Sequence, residues 1–209
     1  MKAVVISGGQ RIKKERALKI MGDADLIVCA DKGAEYAFFY GIRPHLIVGD
    51  MDSVDKGVIA DTGVSKVIVS PKEKDLTDTH LAVIKALEAG ADDITLICAT
   101  GLRSDHGLAN IRLLIYINEC GVLGRIVDDI NTIMLCDHET IFEGEIGLTV
   151  SILAASDKVE GITLKGFKYP LEDKTAGMGW TTGISNIIVS DYASISIKSG
   201  KLLVFSIHK

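Results

Sequence analysis

Through about its first 127 residues the chain alternates short runs rich in Val and Ile with stretches whose apolar residues recur at helical spacing, and few folds accept that alternation. The runs are 3–6 (AVVI), Leu26–Ala30, Leu46–Val48, Lys66–Val69, Ile94–Cys98 and Arg125–Val127. One helical stretch covers about 76–89, with Leu81, Ile84 and Leu87 on its period and Gly90 as its stop. A second covers about 104–119, with Leu108, Ile111, Leu114 and Ile115 on one face and Gly121 as its stop. Short apolar strands joined by helices form βαβ units on a parallel sheet. The expected fold class is therefore α/β, with a Rossmann-like, mostly parallel α/β/α first domain.

After about residue 130 the helical period disappears. Short strand-like runs alternate with Gly at Thr149–Leu153, Gly161–Leu164, Ile184–Val189, Ala193–Ile197 and Leu202–Ile207. ASISIKSGKLLVFSI alternates with period two on both sides of Ser199-Gly200 and reads as a hairpin. This predicts a smaller all-β domain, a sandwich or barrel. The division falls near 128, giving 1–128 and 129–209.

Open sheets of this kind take ligands beyond the carboxyl ends of their strands, so acidic residues just past the apolar runs are the candidates for chemistry. LIVGDMDSV (Leu46–Val54) is the sharpest case. Gly49 lets the strand leave its sheet, and Asp50 and Asp52 would point to one side if the strand continued. Two carboxylates so close suit a hard cation with oxygen ligands, Mg²⁺ beside phosphates; an acidic surface loop is the alternative. Asp31 follows LIVCA where the chain enters a helix, as a cap or as a ligand group. KEKDLTDTH (Lys72–His80) sets Lys72, Lys74, Asp75, Thr77 and Asp78 before a helix, either as a capping box or as a phosphate seat. TGLRSDHGLAN (Thr100–Asn110) repeats the layout, with Arg103 as a phosphate fork, Ser104 as an N-cap and Asp105 in the first turn. His106 reads as structural.

Other classes find little support. Gly8-Gly9 matches neither the dinucleotide nor the P-loop fingerprint. A net charge of −5 argues against a broad nucleic-acid surface, and no apolar run approaches the roughly 20 residues a membrane helix needs. With no secretory h-region at the N-terminus, the cytoplasm is the expected location. Cys29, Cys98, Cys120 and Cys136 show no metal or disulfide spacing and read as free, mostly buried thiols.

These stretches together resemble bacterial-type thiamine pyrophosphokinases (thiamine diphosphokinases). The likeness rests on ADKGA at 30–34, GIRPHLIVGDMDS at 41–53, KDLTD at 74–78, TGLRSDHGLANI at 100–111, GFKYPL at 166–171 and GISN at 183–186. The resemblance implies an α/β catalytic domain, a C-terminal β-sandwich, and a homodimer with active sites at the subunit interface. It also implies Mg²⁺-dependent transfer of the pyrophosphoryl group of ATP to the hydroxyl of thiamine, giving thiamine diphosphate and AMP. Asp50, Asp52 and Asp78 would hold Mg²⁺, with Asp31 and Asp105 completing the acidic site. Lys74, Thr77 and Arg103 would bind ATP, and Ser185 and Asn186 the thiamine. Trp180 is a local departure beside GISN. Rival readings are a haloacid-dehalogenase-type phosphatase with Asp50 as nucleophile, a nucleotide-sugar transferase with a D-x-D metal site, and a non-catalytic thiamine or nucleotide sensor.

Overall fold

The computed structural model describes residues 1–50, 57, 64, 66–69, 71 and 75–208. The chain divides into two compact units, Met1–Asp129 and Ile130–Lys209.

In the first unit the apolar runs form strands β1 (Lys2–Ile6), β2 (Leu26–Ala30), β3 (Leu46–Gly49), β4 (Lys66–Val69), β5 (Asp93–Ile97) and β6 (Leu123–Val127). They pair in parallel in the order β6-β5-β1-β2-β3-β4. Among the described residues the helices that connect them are α1 (Lys14–Gly22), α2 (Gly33–Tyr40), α3 (Asp78–Glu88) and α4 (Ser104–Glu119). Strand side chains alternate between faces. Val4, Ile6, Ile27, Cys29 and Ile47 share a core with Ala17 and Met21 of α1 and Ala34, Ala37 and Tyr40 of α2. The alternate residues Ala3, Val5, Val28 and Val48 are just as buried, and α3 packs on β1, β2 and β3. Burial on both faces explains why these strands read as continuous apolar runs rather than alternating ones.

Helix α1 buries a narrow stripe, with Ala17 and Met21 in the core and Ile20 packed beside them. The buried faces of the two longer helices are rotated from the expected ones. On α3 they are Thr79, Ala82, Val83 and Ala86, with Leu81, Ile84 and Leu87 half-buried beside them. On α4 Leu108 is exposed, and Gly107, Asn110, Leu113, Leu114 and Ile117 are buried. Small side chains set the line of closest approach to neighbouring elements, so counting large apolar residues points to the flank instead.

The second unit contains β7 (Asn131–Cys136), β8 (Glu139–Glu143), β9 (Thr149–Ala154), β10 (Lys158–Lys165), β11 (Leu171–Gly177), β12 (Asn186–Ile187), β13 (Tyr192–Ser196) and β14 (Leu202–Ile207). Two antiparallel ladders run β12-β9-β14-β7 and β11-β10-β13-β8. Cys136, Val150, Ile152, Leu202 and Val204 of the first share a core with Phe142, Ile162, Leu164, Ala193 and Ile195 of the second, as in a sandwich.

The hairpin expected around Ser199-Gly200 does not form. β13 pairs with β10 and β8, whereas β14 pairs with β7 and β9. The intervening segment is tied to β10 instead, with Lys198 N donating to Glu160 O at 2.9 Å. Gly200 takes φ +91°, and a Cβ there would stand 2.5 Å from the Lys158 carbonyl oxygen. Period-two alternation marks one buried face per strand in either arrangement, so it cannot tell a hairpin from a crossing between sheets.

Candidate active site

Strand order reverses at β1: the chain builds outward through β2, β3 and β4, then returns to place β5 on the other side of β1. The loops after β1 and β5 therefore part at the carboxyl edge and leave a crevice. A cavity of about 360 Å³ lies there, lined by Gly8, Gly9, Asp31, Thr77, Asp78, Thr79, Gly101, Leu102, Arg103, His106 and Asn110 among others. Helices α3 and α4 both begin in its wall. Helix N-termini present unsatisfied N–H groups and the positive end of the dipole, so two of them favour an anion.

Close packing fixes the walls. Gly9 N donates to Cys98 O at 2.7 Å and Gln10 N to Thr100 O at 2.8 Å, joining the β1 and β5 loops. A Cβ on Gly9 would meet those same carbonyl oxygens at 2.6 and 2.5 Å. Tyr36 reaches from α2 to donate its hydroxyl to Gly9 O at 2.8 Å. Buried Thr79 donates to buried Ser7 at 3.2 Å, tying α3 to the end of β1. Asn110, buried on α4, donates to Ala99 O at 2.8 Å.

Asp31 sits directly after β2 at φ +44°, and the N-cap of α2 is Lys32, one residue further on. The N-cap of α3 is Thr77, whose hydroxyl accepts from His80 N at 3.2 Å, so the Asp75–Asp78 capping box is replaced by a threonine cap. Asp78 becomes the first residue of the helix. Thr77→Ala is expected to lower stability by about 1 kcal/mol, with Thr77→Ser close to the parent, as read by thermal or urea unfolding. At the start of α4 the N-cap is Arg103 rather than Ser104. Arg103 holds Asp105 through both faces of its fork, Nε to Oδ1 at 3.2 Å and Nη2 to Oδ2 at 2.6 Å. Hydrogen bonding to Arg103 brings the Asp105 carboxyl down to about 2. A depressed carboxyl favours the folded state above its ordinary range and loses that effect only as pH falls toward 2. The pair therefore stays charged at neutral pH, with its guanidinium at the cavity rim.

Asp31, Thr77, Asp78 and Arg103 thus line one cavity. Asp50 directly follows β3 and is half-buried. Asp52 and Lys74 lie outside the described residues. Sequence reasoning passed over Ser7, Thr79 and Asn110; the available signal was a polar residue on the buried period of a helix, as at Asn110. Among the described residues no three His, Cys, Asp or Glu side chains cluster tightly. Mg²⁺, however, keeps several waters and takes one or two carboxylates together with phosphate oxygens. Two carboxylates facing an anion seat match that donor set.

Residues 17–122 match the family described as thiamin pyrophosphokinase, catalytic domain, and residues 138–202 match its vitamin B1 binding domain. Thiamine pyrophosphokinase of Bacillus subtilis is 30% identical over 204 residues, covering 96% of this chain and 95% of that protein. The chain belongs to the thiamine pyrophosphokinase family. Two solved family structures extend the agreement to the fold. The Bacillus subtilis enzyme superposes with a TM-score of 0.88 at 30% identity over all of both chains. The Geobacillus thermodenitrificans enzyme does so at 0.83 and 28% identity, over 100% of this chain and 98% of the other. The cavity described above lies wholly within unit one, and all but its β1-loop residues fall inside the segment matching the catalytic domain.

Ser185 and Asn186 fall in the segment matching the vitamin B1 binding domain. Ser185 is exposed at φ +56°, with its N–H donating to Ser151 Oγ at 2.9 Å. Asn186 is only 3% exposed. Its amide accepts from Tyr169 N at 3.0 Å and donates to Tyr169 O at 2.7 Å, so its side chain clamps the GFKYPL segment. The clamp joins two segments of the thiamine pyrophosphokinase β-unit that lie seventeen residues apart. Trp180 is exposed, its N–H donating to Gly177 O in a turn.

Proposed function

We propose that this chain transfers the pyrophosphoryl group of ATP to the hydroxyl of thiamine, giving thiamine diphosphate and AMP. The observation that carries the reading is the cavity at the β1/β5 reversal, where two helix N-termini and Arg103 meet Asp31 and Asp78. Transfer of this kind asks little covalent help from the protein and depends on positioning and on neutralised phosphate charge. The N–H groups at the starts of α3 and α4 seat the phosphates, with Thr77 keeping the first turn of α3 in place. Arg103 supplies a planar fork for phosphate oxygens, which compete with Asp105 for it. Lys74 adds positive charge.

Asp50, Asp52 and Asp78 are the residues that would hold Mg²⁺, with Asp31 and Asp105 completing the acidic site; when bound, the ion neutralises phosphate oxygens. The thiamine oxygen forms its bond to the β-phosphorus as the bond from that phosphorus to the α-phosphate oxygen breaks, and AMP leaves. The hydroxyl proton passes to a carboxylate of the acidic cluster. Ser185 presents its side chain to thiamine, and Asn186 shapes the pocket by fixing Tyr169.

In this reading the catalytic domain is 1–128 and the thiamine-binding domain 129–209. The enzyme is a cytoplasmic homodimer, with active sites completed between subunits. Among the described residues no helix is long and apolar enough to cross a membrane. An aspartyl-phosphate mechanism at Asp50, a sugar transferase and a non-catalytic sensor find no support in the family or the fold. Incubation with thiamine, ATP and Mg²⁺ followed by chromatography should yield thiamine diphosphate. Phosphate released from ATP with no thiamine product would overturn the assignment.

A further inference from the structure

We infer that Leu102 is the apolar contact for the nucleoside end of the nucleotide, a specificity-determining residue at the cavity rim; this rests on the ATP reading above. Leu102 lines the cavity and is 75% exposed, the highest value among the large apolar side chains of the described residues. Its backbone stands at φ +49°, in the left-handed region that an L residue with a Cβ enters at a cost. Exposure and strain both work against the folded state. Glycine would suit the same backbone without strain.

The conformation is imposed from outside the residue. Cys98, Ala99 and Thr100 are pinned by Gly9 N, the Asn110 amide and Gln10 N, and Thr100 donates its hydroxyl to Asp128 at 3.1 Å. Gly101 then turns at φ +77°, and α4 begins at Ser104. Strain over-determined in this way, at the wall of a ligand cavity, points to a functional use of the side chain. Phosphate cannot be that use, because an isobutyl group offers phosphate nothing. The anion is already served by the helix N-termini and Arg103. The helix N-termini and Arg103 seat the triphosphate, and the nucleoside beyond them meets the cavity rim, which Leu102 lines. Leu102 stands there as the exposed apolar surface, suited to a flat heteroaromatic base.

The test compares the parent with Leu102→Ala and Leu102→Gly in calorimetric titrations, with Mg²⁺ present. The two probes are ATP and inorganic tripolyphosphate. Both variants are expected to bind ATP about fivefold more weakly, the effect of losing part of one apolar side-chain contact. Tripolyphosphate binding should stay within about twofold, because the probe lacks a nucleoside. Leu102→Gly should melt at or above the parent temperature, the opposite of what a structural role would give. Equal weakening of both probes, or unchanged ATP binding, would each overturn the assignment. If the parent binds tripolyphosphate but not ATP, the nucleotide reading itself fails, a result distinct from a failure at Leu102.

Discussion

Asp78→Asn should reduce turnover by roughly 10² to 10³-fold while leaving the fold in place. Asp78 is the first residue of α3, in the cavity wall, at the helix N-terminus proposed above to seat the anion. A carboxylate and a phosphate share that seat only with a cation between them. Replacing Asp by Asn keeps the volume and removes the charge. Acidic residues in a first helical turn contribute up to about 1 kcal/mol, so the melting temperature should move by only a few degrees. Steady-state kinetics together with a thermal melt check both halves. A loss of activity matched by a large loss of stability would make Asp78 a structural residue. Near-parental activity would remove it from the acidic site.

Gly33→Ala carries the largest expected effect on stability. Gly33 opens α2 directly over the end of β1, and a Cβ there would lie 2.0 Å from the Ile6 carbonyl oxygen. That oxygen belongs to a central strand paired on both sides, so the helix must move instead. Overpacking of this kind costs about 3 kcal/mol. Moving α2 also shifts Tyr36, which holds Gly9 O in the cavity wall, so activity should fall with stability. Gly22→Ala is the control. Nothing lies within 4 Å of a Cβ at that position, and Ala suits the last residue of α1, so urea unfolding should report a change near zero or a small gain. A Gly33→Ala variant as stable as Gly22→Ala would contradict the close packing of α2 on β1.

Strands β1, β2, β3 and β5 were legible because burial on both faces turns them into unbroken apolar runs. The starts of α3 and α4 were legible to within a residue or two because cap-forming polar residues precede each helical period, although the caps are Thr77 and Arg103 rather than Asp75 and Ser104. What the sequence could not carry arises from distant contacts. Glycine at 33 is demanded by a carbonyl at position 6, and the turn at Leu102 by bonds from Gly9, Gln10 and Asn110. The expected hairpin failed for the same reason, since what redirects residues 197–201 is Glu160 on another strand. The Asn186 amide bonds the backbone of Tyr169, seventeen residues earlier, a contact that no local pattern encodes. Of the two readings of Asp31, the cap falls away, because Lys32 caps α2 and Asp31 lines the cavity wall.

The most direct test of pyrophosphoryl transfer follows the terminal phosphate. ATP labelled in its γ-phosphate is incubated with thiamine and Mg²⁺, and the products are separated. Transfer of the whole pyrophosphoryl group predicts the label in thiamine diphosphate, with one AMP formed per labelled product. Label in thiamine monophosphate with ADP, or in free phosphate with no thiamine product, would contradict it.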